Sequence, residues 1–596
     1  MDKSKYLFMF VFVGGVLLTA GLVYRVFETQ DAGGATVVEE GSDQPAALPV
    51  SQELLALDVP HPFEGGAQTV SSFKPNLYGE VLGESNVLGE SDIFGTPTPE
   101  VVPSVSSGAV GNDTGKNAEE YRPSRANIDP TKPFDPIKEN GDIFVGWEKP
   151  LVTLVLTGRL NGYMEPCGCA GLERMMGGLS RRAVFLEQLH QKGWNPLTLD
   201  VGGISPGYTV QAQLKFLSAV NMLREMNYDA ITFGNIDLNF PAGDILAEVS
   251  TPGKNGRLFT SANVGIFAFD PQTLSRAKMH ERNNYRIGVI GVLGDEEQKK
   301  VQNDEIVFEP AIQTLEKYLP VVRKKCDVVI LLSHATEEES RALAAKFPQV
   351  DIIVSAGGPP VSPSNVETIP ETGQYFVTIG EKGMHAIVLG LYDDDKTPIR
   401  YQRVPMDSRF ASSPKILDLM ALYQEQLKTL GLEGLGIRPI RNPYEEQNGR
   451  FVGSARCESC HEESYLVWQK SRHAKSWKTL EEATPPRTFD PECIACHVVG
   501  WSPQHMIPLE SGFLDMKSTP HLSKVGCESC HGPGEKHIQA EMGTNLALQE
   551  KYRTAVRLTL EDAKSTFCVQ CHDLDNSPNF NFDTYWPCIE HPESDE

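Results

Sequence analysis

From Gly146 onward, short apolar runs alternate with amphipathic stretches. The runs are LVTLVLTG (151–158), PLTLDVGG (196–203), AITFG (230–234), LFTSANV (258–264), YRIGVIGVL (285–293), DVVILLSH (327–334) and DIIVSAGG (351–358). They are β-branched and apolar at successive positions, as strands buried on both faces must be. The stretches between them, 178–191, 212–226 and 311–325, carry apolar residues at the 3.6-residue period of a helix. Strands followed by crossover helices predict an α/β sheet structure covered on both faces, with 375–393 as a closing antiparallel pair. Residues 414–435 have the period of a single amphipathic helix, and 437–450 read as a linker. Past Phe451 the strand pattern stops, which predicts a mainly α domain.

The N-terminal pattern differs. Tyr6 to Tyr24 is a run of 19 uncharged residues behind Lys3 and Lys5, long enough to cross a bilayer. It exceeds the usual apolar core of a signal peptide and lacks a clean A-x-A site, so an uncleaved signal anchor is expected over a cleaved peptide. The following stretch, rich in Gly, Ser, Pro and acidic residues, cannot bury enough apolar surface to offset the entropy of ordering and reads as a tether. The expected plan is therefore an anchor (1–27), a disordered linker (28–145), an α/β domain (146–410), a helix and linker (411–450) and a C-terminal domain (451–596). A chain of 596 residues has room for three to four domains. Its net charge of −25 excludes a nucleic-acid partner, because phosphate binding needs clustered Lys and Arg.

Cysteine placement adds the chemistry. Eight of the 12 cysteines lie in four CxxCH pentads: Cys457, Cys460 and His461; Cys493, Cys496 and His497; Cys527, Cys530 and His531; Cys568, Cys571 and His572. On one helical turn the two thiols and the imidazole share a face, so both thiols can add to the vinyl groups of a haem while the histidine reaches its iron. A zinc ribbon or a redox CxxC pair would not need histidine directly after the second cysteine four times. Four covalent c-type haems are expected, with those histidines as proximal ligands. Haem attachment places the domain on the extracytoplasmic, periplasmic side of the cytoplasmic membrane, held by the anchor. At about 36 residues per haem, the porphyrins must form much of the core.

The loop GYMEPCGCAGLERMMGGLSRR (162–182) holds two more cysteines, Cys167 and Cys169. One reading is a redox or metal site, with Glu165 as a further ligand. The other is a structural disulfide; two cysteines one residue apart bridge only with strain, so the partner would be Cys326 or Cys588.

Two resemblances follow from these residues. NYDAITFGNIDL (227–238), SANV (261–264), YRIGVIG (285–291), DVVILLSH and DIIVSAGG resemble the calcineurin-like metallophosphoesterases of the periplasmic nucleotidase type, over about residues 148–408. That likeness implies a dimetal site whose ligands are mostly replaced. Arg159-Leu160-Asn161 stands for the family's D-x-H, Gly203 for its bridging Asp, Gly234-Asn235-Ile236-Asp237 for G-N-H-[DE], and Ala356-Gly357-Gly358-Pro359 for G-H-x-H. Only Asn235 and His334 remain at ligand positions, which cannot hold two ions, so an inactive phosphoesterase-like domain is implied. FVGSARCESCH (451–461), SRHAKSW (471–477), CIACHVVGW (493–501) and VGCESCHGPG (525–534) resemble the tetrahaem cytochrome c-554 family, electron acceptors of hydroxylamine oxidoreductase. This likeness implies His473, His537 and His591 as distal ligands and an open iron at the second pentad. The additional His505 and His521 can fill that vacancy, His521 being the better placed.

The leading expectation is a membrane-tethered multihaem electron carrier with redox protein partners and a docking domain. The alternatives are an oxidoreductase acting on a small nitrogen or sulfur compound at an open haem, and a nucleotidase-like phosphoesterase.

Overall fold

The computed structural model describes residues 57–58, 134–168, 171–394 and 396–591. The expected anchor, nearly all of the expected linker and Cys169 lie outside the described residues. No described helix is long and apolar enough to cross a membrane.

The middle domain is a sandwich of two sheets. One runs Ile399–Pro405, His385–Leu391, Val152–Thr157, Leu197–Asp200, Ala230–Ile231. The other runs Leu57–Asp58, Ala277–Arg282, Tyr285–Leu293, Val328–His334, Ile352–Ser355, Tyr375–Thr378, Glu367–Thr368. Strand alternation explains why the apolar runs are continuous. Val152, Leu154 and Leu156 of the first sheet meet Ile330, Leu332, Ile352 and Val354 of the second in a buried inter-sheet core. The intervening positions face outward into helices. Val155 joins the layer formed with Leu179–Gln191, Val210–Glu225 and Pro414–Gly434, while Val329, Leu331 and Ile353 join the layer under Ala311–Lys325 and Glu337–Lys346.

Three expectations need correcting. The segment 375–393 is not one antiparallel pair: Tyr375–Thr378 pairs in parallel with Ile352–Ser355, whereas His385–Leu391 pairs with Val152–Thr157 in the other sheet. Lys382 and Gly383, both at positive φ, carry the chain across. LFTSANV is not a regular strand but makes isolated bridges at Phe259 and Thr260. The folded domain also starts before residue 146, with helix Pro136–Asn140 and Phe144, whose ring packs against Phe185 and Trp194. One hairpin has a sequence signature: Arg282 pairs with Tyr285 across Asn283 and Asn284, both at positive φ, as a two-residue turn of the primed type requires.

The C-terminal domain is built from short helices, among them Glu462–Lys470, Ser476–Glu482, Glu535–Glu541 and Leu546–Val556. Its apolar core is small, centred on Trp477, Ile494, Val498, Trp501 and Phe513. The helix Pro414–Gly434 packs along Val210–Glu225 of the middle domain. Gly431, at φ 60, interrupts it before it enters the C-terminal domain.

Candidate functional site

Each pentad folds as a helical turn. The second cysteine donates its N–H to the carbonyl of the first in all four, at 3.2 Å for Cys460 and Cys530 and 3.3 Å for Cys496 and Cys571. The histidine N–H follows, bonding the first cysteine's carbonyl in three pentads and Ile494 in the second. On such a turn positions i, i+3 and i+4 share a face, the arrangement that covalent haem attachment needs.

The imidazoles are set as ligands should be. Nδ1 of His497 donates to the Ser476 carbonyl at 2.7 Å and Nδ1 of His531 to the Val556 carbonyl at 2.8 Å. A carbonyl only accepts, so both rings carry their proton on Nδ1 and present a bare Nε2. His572 Nδ1 lies 3.1 Å from Ser577 Oγ. Burial lowers the pKa of His497, His531 and His572, which favours the neutral ring.

Three of these histidines face another across a ring-sized gap. His461 and His537 have centroids 6.1 Å apart, His473 and His572 6.2 Å, and His531 and His591 5.9 Å. Two imidazoles on opposite sides of one metal, with bonds of about 2 Å, put their centroids about 6 Å apart. The donor set therefore fits an iron between each pair. His473 stands opposite the fourth pentad, not the first one nearby in sequence, and His537 opposite the first. Burial, reinforced by His572 and His497, pushes the His473 pKa down to about 4.

The two further histidines are placed differently from expectation. His505 is exposed, its Nδ1 2.9 Å from Ser502 Oγ. His521 is exposed too and lies against Gly453, where a Cβ would come within 3.1 Å of its ring. The segment Pro520–Leu522 is a short 3-10 turn whose backbone is committed to the Leu522 carbonyl's bond with Val499, and this turns the ring to the surface.

The pentads adjoin in an order unlike the chain order. Cys457 lies near Cys527, Cys496 near Cys571, and Cys530 near Cys568. The sequence of neighbours is first, third, fourth, second.

The loop 162–182 folds over helix Leu179–Gln191. Glu165 Oε1 accepts from Ser180 N at 2.8 Å and so caps the start of the helix. Desolvation raises its pKa to about 7. Arg181 donates to the carbonyls of Met175 and Leu172, holding the loop shut. Cys167 is half-buried and lies near Cys493 and Cys496 of the second pentad. Cys326 is buried in the outer core of the second sheet against Gly288, and Cys588 is exposed, so neither is a disulfide partner here.

At the expected dimetal site, Arg159 Nη1 donates to the carbonyls of Gly358, Pro359 and Ile379, and Nη2 pairs with Glu381. A guanidinium thus ties together the loops that would carry ligands. His334 is buried with Nδ1 2.8 Å from the Val201 carbonyl. Asp237 accepts from Gly203, Ile204, Ser205 and Gly234, a structural role that sequence reading missed. An open cleft of about 370 Å³ remains beside His334, lined by Glu297, Thr336, Glu337 and Gly358. No cluster of three or more His, Cys, Asp or Glu able to hold a metal occurs among the described residues.

Residues 456–532, containing the first three pentads, match the family described as "Cytochrome c554 and c-prime". The chain is 29% identical over 147 residues to cytochrome c-554 of Nitrosomonas europaea, covering 22% of this chain and 60% of that protein. It is 22% identical over 197 residues to an apyrase of Aedes aegypti, covering 32% of this chain and 35% of the apyrase. Among solved structures it is similar to the 5'-nucleotidase precursor of Thermus thermophilus, at 20% identity and a TM-score of 0.39, over 47% of this chain and 59% of that one. The chain thus spans less than two thirds of each relative. Its C-terminal domain is cytochrome c554-like and its middle domain is like the 5'-nucleotidases and calcineurin-like phosphoesterases.

Proposed function

We propose that this chain is a tetrahaem c-type cytochrome that transfers electrons outside the cytoplasm, anchored to the membrane by residues 1–27, with the phosphoesterase-like domain as a docking module. The observation that carries this is the set of three histidine pairs at 5.9 to 6.2 Å, each joining a pentad histidine to a partner from elsewhere in the chain. In this reading Cys457, Cys460, Cys493, Cys496, Cys527, Cys530, Cys568 and Cys571 hold the haems. His461, His497, His531 and His572 are proximal, and His537, His591 and His473 are the distal ligands of the first, third and fourth haems. Haem supplies the one-electron chemistry; the chain fixes its ligation, and bis-histidine ligation gives lower potentials than Met/His ligation. The neighbour order of the pentads provides one continuous path from the first haem to the second.

A second reading is favoured by the surface positions of His505 and His521: an iron at the second pentad that takes a small nitrogen or sulfur species. A redox titration followed by electron paramagnetic resonance on the whole protein tests both. Three low-spin bis-histidine haems with a fourth whose spectrum shifts on adding cyanide or nitric oxide support the second reading. Four low-spin haems indifferent to both ligands support the carrier alone, and fewer than four haems by mass defeat the tetrahaem assignment.

A further inference from the structure

The second pentad is the one that the middle domain grips. The short helix Pro491–Ile494, which carries Cys493, is capped by Asp490, whose Oδ1 accepts from Glu492 N at 3.2 Å. Gln211 donates Nε2 to Asp490 Oδ1 at 3.0 Å, and Gln424 donates Nε2 to Oδ2 at 2.9 Å. Gln211 comes from helix Val210–Glu225 of the middle domain and Gln424 from the connecting helix Pro414–Gly434. All three side chains are buried, and Gln211 also donates to the buried Tyr423 hydroxyl at 3.1 Å. One helical turn beyond Gln211, Lys215 reaches Glu492 at 2.5 Å; its side chain is only 9% exposed. Glu492 directly precedes Cys493, and the charges of Asp490, Arg487 and Glu492 all bear on that sulfur. Elsewhere the domains meet at the ion pair of Lys382 with Asp575, beyond His572 and with both side chains 30% exposed.

Two buried amides on one carboxylate are too specific for a passive contact. Each would lose its partner, and leave a buried polar group unsatisfied, if the domains slid by a residue. Lys215 adds a positive charge beside the second haem's attachment point. We propose that the middle domain frames and tunes the second haem, Lys215 setting its potential through Glu492 while Gln211 and Gln424 position it through Asp490. This rests on the tetrahaem docking-domain reading and says what the docked module does.

The physical lever is Coulombic. A unit charge about 10 Å away in a medium of effective dielectric about 20 shifts an equilibrium by roughly tenfold, which for a one-electron couple is about 59 mV. In Lys215→Met, titrated at a pH high enough to keep Glu492 ionised although burial raises its pKa, the Glu492 charge is left uncompensated and favours the oxidised haem, so that couple falls.

The test is a spectroelectrochemical titration of the full haem-loaded chain, with four haems first verified by mass. Lys215→Met is expected to lower one of the four couples by about tenfold in its reduction equilibrium and leave the others in place. Lys215→Arg should keep the wild-type values, and Lys215→Met with Glu492→Gln should restore them, because the charge is balanced again. Should the Met variant lose haem, Lys215→Gln is read instead with the same expectation. Gln211→Leu with Gln424→Leu is expected to change the paramagnetic signature of one haem only. The proposal is overturned if Lys215→Met or its substitute moves no couple or all four together, or if the double variant fails to recover. Metal-dependent phosphate release by the same wild-type preparation would sink the docking reading and leave the single-couple shift standing.

Discussion

Replacing His473 by Ala separates local from long-range ligation. His473 lies 12 residues after His461 and 99 before His572, yet its ring stands 6.2 Å from that of His572. If it ligates the fourth haem, His473→Ala converts one of the three bis-histidine haems from low to high spin, so about a third of the bis-histidine low-spin absorbance should be lost. The two assignments also differ in the loop closed by the iron. By the chain-entropy relation, a cross-link closing about 100 residues constrains the unfolded state by about 4.7 kcal/mol, against about 3 kcal/mol for about 15. These are ceilings, because the other haems already shorten the loop. The decisive assay uses a background with Cys568 and Cys571 replaced by Ser, carrying three haems by mass. There His473→Ala should leave the remaining low-spin spectrum unchanged. A further low-spin haem lost in that background would place His473 on another iron and refute the pairing.

Other outcomes follow from the middle domain. Asp237→Ala strips four buried N–H groups of their acceptor and should cost about 3 to 5 kcal/mol, read as a lower midpoint in urea unfolding. Asn235→Ala should leave midpoint, haem count and redox titration unchanged, and metal analysis of residues 134–410 should find no stoichiometric ion; a bound ion lost in the variant would contradict this. Burial pushes the pKa of His280 down to about 4 from 6.5. The unfolded chain then binds the extra proton between those values, so stability should rise with pH from 4 to 6.5 and be level above it. The span is about 3 kcal/mol, and His280→Gln should flatten that part of the profile.

Much of the sandwich is legible in the sequence because strands buried on both faces leave unbroken apolar runs, and Val152–Thr157, Tyr285–Leu293 and Val328–His334 stand where those runs do. The path from Tyr375 to Leu391 is not legible. Two adjacent apolar runs look alike whether they pair with each other or enter different sheets, and only the turn at Lys382 and Gly383 decides. The Asn283-Asn284 turn carries a readable signal, since two successive asparagines favour the positive φ of a tight hairpin. At the site, the pentads are explicit because attachment chemistry dictates their spacing. Which histidine faces which is not, because His473 and His537 reach their partners through tertiary packing. His521 looks suitable by loop length, but its turn directs the ring outward. Glu165 looks like a ligand by proximity to Cys167, and sequence alone does not reveal that one of its oxygens caps the start of the next helix.

If the chain is the exported tetrahaem cytochrome proposed above, the crossed pairing bears on how it matures. As the chain emerges from its N-terminal end, His461 meets His473 long before His537, which follows 64 residues behind His473. A first haem attached early would take the nearer imidazole, a mismatched ligation that later has to be exchanged when the third pentad and Glu535–Glu541 arrive. Native assembly thus waits on contacts 76, 99 and 60 residues apart in sequence, the kind of long-range closure that slows folding.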